Sequence, residues 1–85
     1  MTEAEKIYIK ETLRLITNEI HKIIEKDLED EKALNVYSRC DSEYSKAQSV
    51  VAKYDRDINS KYLNKLHKMQ DFIGNMLLAD STSTQ

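Results

Sequence analysis

The chain reads as an all-α protein, and three observations carry that expectation. It has no proline and a single glycine in 85 residues, so nothing breaks a helix by composition. Charged residues make up 33% of the chain and hydrophobic residues 40%, the profile of long solvated helices. Most telling is an unbroken 4-3 spacing of Ala33, Tyr37, Cys40, Tyr44, Ala47, Val51, Tyr54 and Ile58. Only a helix sets such positions on one stripe. The architecture expected is three antiparallel helices, as a three-helix bundle or an extended helical hairpin, with coiled-coil-like packing. One domain spans residues 1–79, and residues 80–85 form a flexible polar tail.

The first helix starts at Thr2. Thr2-Glu3-Ala4-Glu5 is a capping box: the Thr hydroxyl accepts from the backbone N–H of Glu5, and the Glu5 carboxylate reaches back. Its apolar stripe runs Ile9, Leu13, Ile16, Ile20, Ile23 or Ile24, and Leu28, with Ile7, Tyr8 and Leu15 on the flanks. A stripe this wide suits a helix that touches two neighbours. Residues Glu25 to Glu31 hold five acids and one lysine, and are expected to form an acidic turn in which Asp27 or Asp30 caps the next helix.

The second helix, Glu31 to Tyr54, carries the Tyr/Ala seam, with Cys40 as a small buried hydrophobe on it. Asp41 and Ser42 are capable caps, but the seam passes through them without a change of phase. After Ile58 the repeat slips from Lys61 to Tyr62 or Leu63, among Asp55, Asp57, Asn59 and Ser60. This reads as a second turn, with a stutter inside one long helix as the alternative. The third helix, about Ile58 to Leu78, has the stripe Tyr62, Leu66, Met69, Ile73, Met76, with Leu63, Phe72 and Leu77 beside it. Gly74 inside it implies a close backbone approach or the helix end.

Composition narrows function. The formal net charge is -2, with Lys and Arg interleaved among acids, which disfavours nucleic-acid binding. One cysteine rules out an internal disulfide and a cysteine zinc site. No apolar run is long enough to span a membrane, and the mixed-charge start does not resemble a signal peptide, so a cytoplasmic location is expected. Frequent Lys, Ile, Asn and Tyr are the coding signature of an AT-rich genome, as in low-GC bacteria and phages.

His21–Glu25 and His67–Asp71 are i, i+4 pairs, but they lack the spacings of di-iron bundles and zincins, so no metal and no cofactor is expected. No nucleophile, Gly-rich loop or paired base supports catalysis, and the chain is not expected to be an enzyme. The basic ridge Lys6, Lys10, Arg14 and the cluster Lys61, Lys65, His67, Lys68 are solvated faces or docking charges.

What remains is recognition. Tyrosine packs its ring while its hydroxyl stays bonded, and it is enriched at interfaces. Tyr37, Tyr44, Arg39 and Lys46 are the leading candidate binding residues, with Tyr8 and Tyr54 beside them. The function expected is non-enzymatic: a small helical protein that binds and modulates a partner protein through an exposed helical face. A thin core implies a homo-oligomer. The alternative is a homo-oligomer that sequesters a small anionic ligand, such as a signalling nucleotide, at subunit interfaces lined by Tyr, Lys and Arg.

Overall fold

A computed structural model describes residues 1–83. It is all-helical and has two helices: α1, Glu3–Tyr37, and α2, Glu43–Ser83. They lie antiparallel in a rod of 64 × 15 × 12 Å. The three-helix expectation is therefore corrected to an extended helical hairpin.

The start of α1 follows from its capping box. The Glu5 N–H donates to Thr2 Oγ1 at 3.1 Å. The Glu5 carboxylate accepts from the same hydroxyl at 3.0 Å and so steadies the cap by a route other than the backbone.

The expected turn at residues 25–31 is absent, because these acids lie within α1. Asp27 and Asp30 cap nothing. They continue the inward row Ile9, Leu13, Ile16, Ile20, Ile23, Asp27, Asp30, Leu34, Tyr37, spaced 4-3 throughout, in which no residue is exposed. Leu28, assigned to that stripe from the sequence, is 51% exposed.

The real turn is residues 38–42. Backbone bonds from Ser38 N to Leu34 O (2.9 Å), Arg39 N to Val36 O (3.3 Å) and Cys40 N to Tyr37 O (3.3 Å) wind α1 down. Ser42 caps α2: Ser45 N donates to its Oγ at 3.1 Å, and Lys46 N to its carbonyl at 3.0 Å. Among the described residues no non-glycine residue has positive φ, so this short αα connection works without glycine. Cys40 is consequently exposed in the turn and is not a buried seam residue. The residues flagged as caps, Asp41 and Ser42, do mark the break; the seam running through them is a coincidence of phase.

From there α2 runs without interruption past Ile58 to Ser83. The second expected turn is also corrected. Its inward row is Ser45, Ser49, Ala52, Arg56, Asn59, Leu63, Leu66, Gln70, Ile73, Leu77, Asp80, an unbroken 4-3 spacing in which again no residue is exposed. Residues 80–83, expected in a flexible tail, belong to this helix, and Asp80 pairs with the Met1 amino group at 3.3 Å and with Lys6 at 3.4 Å. Residues 84–85 of that expected tail lie outside the described residues.

The hydrophobic core is small: Ile16, Ile20 and Leu66, with Ile23, Leu63 and Ile73 packed on it. Nearer the turn a polar cross-link takes over. Asn59, only 2% exposed, donates through Nδ2 to Asp30 (2.9 Å) and Asp27 (3.3 Å) and accepts from Lys26 Nζ at 3.4 Å. Arg56 grips Asp27 with two bonds of 3.3 Å. A third link joins Gln70 Nε2 to Thr17 Oγ1 at 3.1 Å, while that hydroxyl donates to Leu13 O at 2.9 Å. Polar residues at inward positions of paired helices fix register, because any slip leaves them buried without partners.

Gly74 has neither role expected of it. The helix continues nine residues beyond it to Ser83, and a Cβ built there would meet nothing within 4 Å.

Candidate interaction surface

Each helix of a two-helix hairpin is covered on one side only. On α2 the uncovered side carries a second apolar stripe: Tyr44, Ala47, Val51, Tyr54, Ile58, Tyr62, Met69, Phe72 and Met76. All of these are exposed, with Tyr54 at 66% and Phe72 at 67%. At 3.6 residues per turn they fall within an arc of about 80°, roughly a third of a turn from the inward row. The slip after Ile58 is thus the drift of one straight stripe against a strict heptad, and marks no turn.

The two flanks of the hairpin differ. With inward residues written a and d, Lys10 and Gly74 are both at e and line one shallow groove with Leu13, Leu77 and Leu78. The g and c positions of both helices therefore share the other flank. There α2 presents Tyr44, Val51, Ile58 and Phe72 at c, and Tyr62, Met69 and Met76 at g. The main polar interruptions at these positions are Gln48, Asp55 and Lys65. On α1 the same flank holds Tyr8 and Leu15 at c, both exposed.

The residues singled out from the sequence divide among three places. Tyr37 and Tyr44 meet across the turn in an edge-to-face pair, centroids 6.1 Å apart and planes at 81°. Lys46 lies on the opposite side of α2 from Tyr44. It borders a groove at the tip with Tyr37, Ser38, Cys40 and Asp41, and contacts Glu43 at 3.8 Å. Arg39 sits in the turn. Tyr54 is exposed on the outward stripe well below the tip. Tyr8 stands near the far end of α1, about 44 Å from Tyr37 along the helix. The six do not form one site.

The charged candidates are largely engaged within the hairpin. In the ridge read as a solvated face or docking charges, Lys6 pairs with Asp80 and Glu3, and Arg14 with Glu11. The hydrogen bond to Arg14 holds the Glu11 carboxyl below its ordinary pKa. The Arg56 guanidinium does the same for Asp27, against a smaller opposing effect of burial. His21 and His67 are both exposed, and no group of three or more His, Cys, Asp or Glu able to hold a metal gathers among the described residues. No helix among them is long and apolar enough to cross a membrane.

Sequence reasoning placed Tyr62, Met69 and Met76 inward, as the stripe of a third helix. The structure turns them outward and keeps only Leu66 and Ile73 of that set against α1. Tyr62, Met69, Phe72 and Met76 are surface residues that sequence reasoning assigned to a third helix, whereas Ile58 already stood on the Tyr/Ala seam. The signal was present as a second 4-3 row of α2, but nothing in one sequence says which of two rows a neighbouring helix covers. Comparisons with protein-family models, with curated proteins and with solved structures gave no match.

Proposed function

We propose that the protein is a non-enzymatic interaction module, which binds another helical polypeptide along the outward face of α2 and thereby inhibits, tethers or chaperones it. One observation carries the reading: the exposed apolar stripe from Tyr44 to Met76 spans most of α2, and no element among the described residues covers it. Scattered exposed apolar residues are ordinary, whereas a contiguous stripe at helical spacing is the surface that helix-to-helix recognition uses. Its aromatic and methionine content suits such a role, since both residue types pack adaptably and are enriched at interface centres. Tyr37, Arg39 and Lys46 at the tip add polar contacts at one end.

The test is native mass spectrometry of the protein purified gently from its host, beside a Val51→Ser/Phe72→Ser variant. The expected result is an added polypeptide on the wild type that the variant loses. A bare wild type, or a variant that keeps its partner, would defeat the reading. An added mass of only a few hundred daltons would favour the anionic-ligand alternative.

A further inference from the structure

The c and g row of α2 has a property that its exposure alone does not explain: it is complementary to itself. Its members from Tyr44 to Met76 are Tyr44, Gln48, Val51, Asp55, Ile58, Tyr62, Lys65, Met69, Phe72 and Met76. Lay this row antiparallel on a second copy, with Ile58 of each chain against Tyr62 of the other. Every remaining member then also meets a member. Asp55 faces Lys65, Val51 faces Met69, Gln48 faces Phe72, and Tyr44 faces Met76.

The only two charged residues in the row have opposite sign, and in this register they face each other twice, once on each side of the axis. Sliding the register by one heptad sets Asp55 against Ile58 or against Phe72. A parallel, in-register pairing sets Asp55 against Asp55 and Lys65 against Lys65. Burying an unpaired charge, or two like charges, disfavours all three of these arrangements. Reciprocal contact of this kind is what a two-fold dimer requires, because one patch must match itself.

The areas agree. The chain exposes 6536 Å², roughly 1,300 Å² more than a compact monomer of its mass is expected to expose. A standard interface hides about 800 Å² per partner. The row from Tyr44 to Met76 is about 48 Å long, enough for such an interface along one helix. Near the axis Lys61 stands just off the row, its charge balanced by Asp57 at 3.0 Å.

We infer that the outward face of α2 is covered by a second copy of this chain, antiparallel, with Asp55 of each copy paired to Lys65 of the other. This inference rests on the reading of that face as a binding surface: in the free protein its occupant is a second copy, which a partner protein would have to displace. The product is a four-helix rod with one Tyr37/Arg39/Lys46 tip at each end, a geometry suited to engaging two sites at once.

The experiment is a charge swap followed by sedimentation equilibrium on the full chain. Wild type is expected at twice the 9.9 kDa chain mass. Asp55→Lys alone and Lys65→Asp alone should each weaken dimerisation tenfold or more, and the double variant Asp55→Lys/Lys65→Asp should recover most of that loss. Circular dichroism confirms that each variant stays helical; Lys65 is exposed, so its variant serves even where that of Asp55 does not fold. A monomeric wild type overturns the inference, and so does a dimer indifferent to either single swap. The two failures separate the claims. If the swaps do nothing but Val51→Ser/Phe72→Ser abolishes association, the face binds and only this register is wrong. If that double variant also associates normally, the reading of the face falls as well.

Discussion

The two halves of the hairpin are held by different chemistry. Toward the open end the helices meet through Ile16, Ile20, Ile23, Leu63, Leu66 and Ile73. Toward the turn the inward residues of α2 are Ser45, Ser49, Ala52, Arg56 and Asn59. The first half removes apolar surface from water, which is non-directional and tolerant of small shifts. The second half contributes little hydrophobic energy but admits one alignment, since Asn59 satisfies two carboxylates and a lysine only in this register. Most of the stability therefore comes from one stretch and most of the register from the other, with the Gln70–Thr17 bond adding register inside the apolar half. The outward face differs as well: toward the turn it presents Tyr44, Val51, Tyr54 and Ile58, and toward the open end Tyr62, Met69, Phe72 and Met76.

The sharpest way to break the contrast is in the apolar half. Leu66→Ala empties the centre of the core and should cost about 2–5 kcal/mol, a large part of the stability of so thin a domain. Ser49→Ala, at an equivalent inward position near the turn, should change stability by less than about 0.5 kcal/mol. Urea unfolding of both variants, followed by helix signal, compares the halves directly. Equal losses would remove the distinction.

The polar half is broken at Asn59. Asn59→Ala leaves the Asp27 and Asp30 carboxylates without their shared donor and should cost roughly 1–3 kcal/mol. The same network makes the hairpin acid-sensitive. The Arg56 hydrogen bond lowers the folded pKa of Asp27 below its unfolded value of about 3.9, so the unfolded chain binds more protons over that interval. The stabilisation from Asp27 is complete above that unfolded value and disappears as pH falls through the lower folded one. Unfolding midpoints at neutral and strongly acidic pH should show this loss in the wild type and a smaller one in Asp27→Asn.

One further effect lies in the apolar half and has the opposite sign. Gly74→Ala should stabilise α2 by about 0.5–1 kcal/mol, because the helix runs straight through this position and a methyl group meets nothing there. A rise in melting temperature checks it, and a fall would reveal a contact that the hairpin does not show.

The contrast also explains how much could be read from the chain. The helical class, the Thr2 cap and the inward row from Ile9 to Ile23 were legible, because apolar spacing and a capping box are local signals. The two-helix topology was not. Asp27, Asp30, Arg56 and Asn59 occupy inward positions, where hydrophobic periodicity sees only polar residues and suggests turns. Their meaning emerges when acid on α1 is set opposite amide and guanidinium on α2, which is a property of the pair. The outward apolar face escaped sequence reasoning for a related reason. Tyr44, Val51, Tyr54 and Ile58 were recognised as one stripe, but that stripe was joined through Cys40 to Ala33 and Tyr37, which lie on the other helix. The turn at 38–42 has no glycine or proline to announce it, and Cys40, in phase with the seam, concealed it.

In this hairpin α2 is one continuous helix with an inward and an outward face. Residue-by-residue amide hydrogen exchange tests it most directly. Protection should run unbroken through Glu25–Glu31 and Asp55–Ser60, strongest around Ile16–Ile23 and Asn59–Ile73, with fast exchange at residues 38–42. Fast exchange at Asp55–Ser60 beside protection at 38–42 would contradict it, and would restore a separate third helix in place of the long outward face.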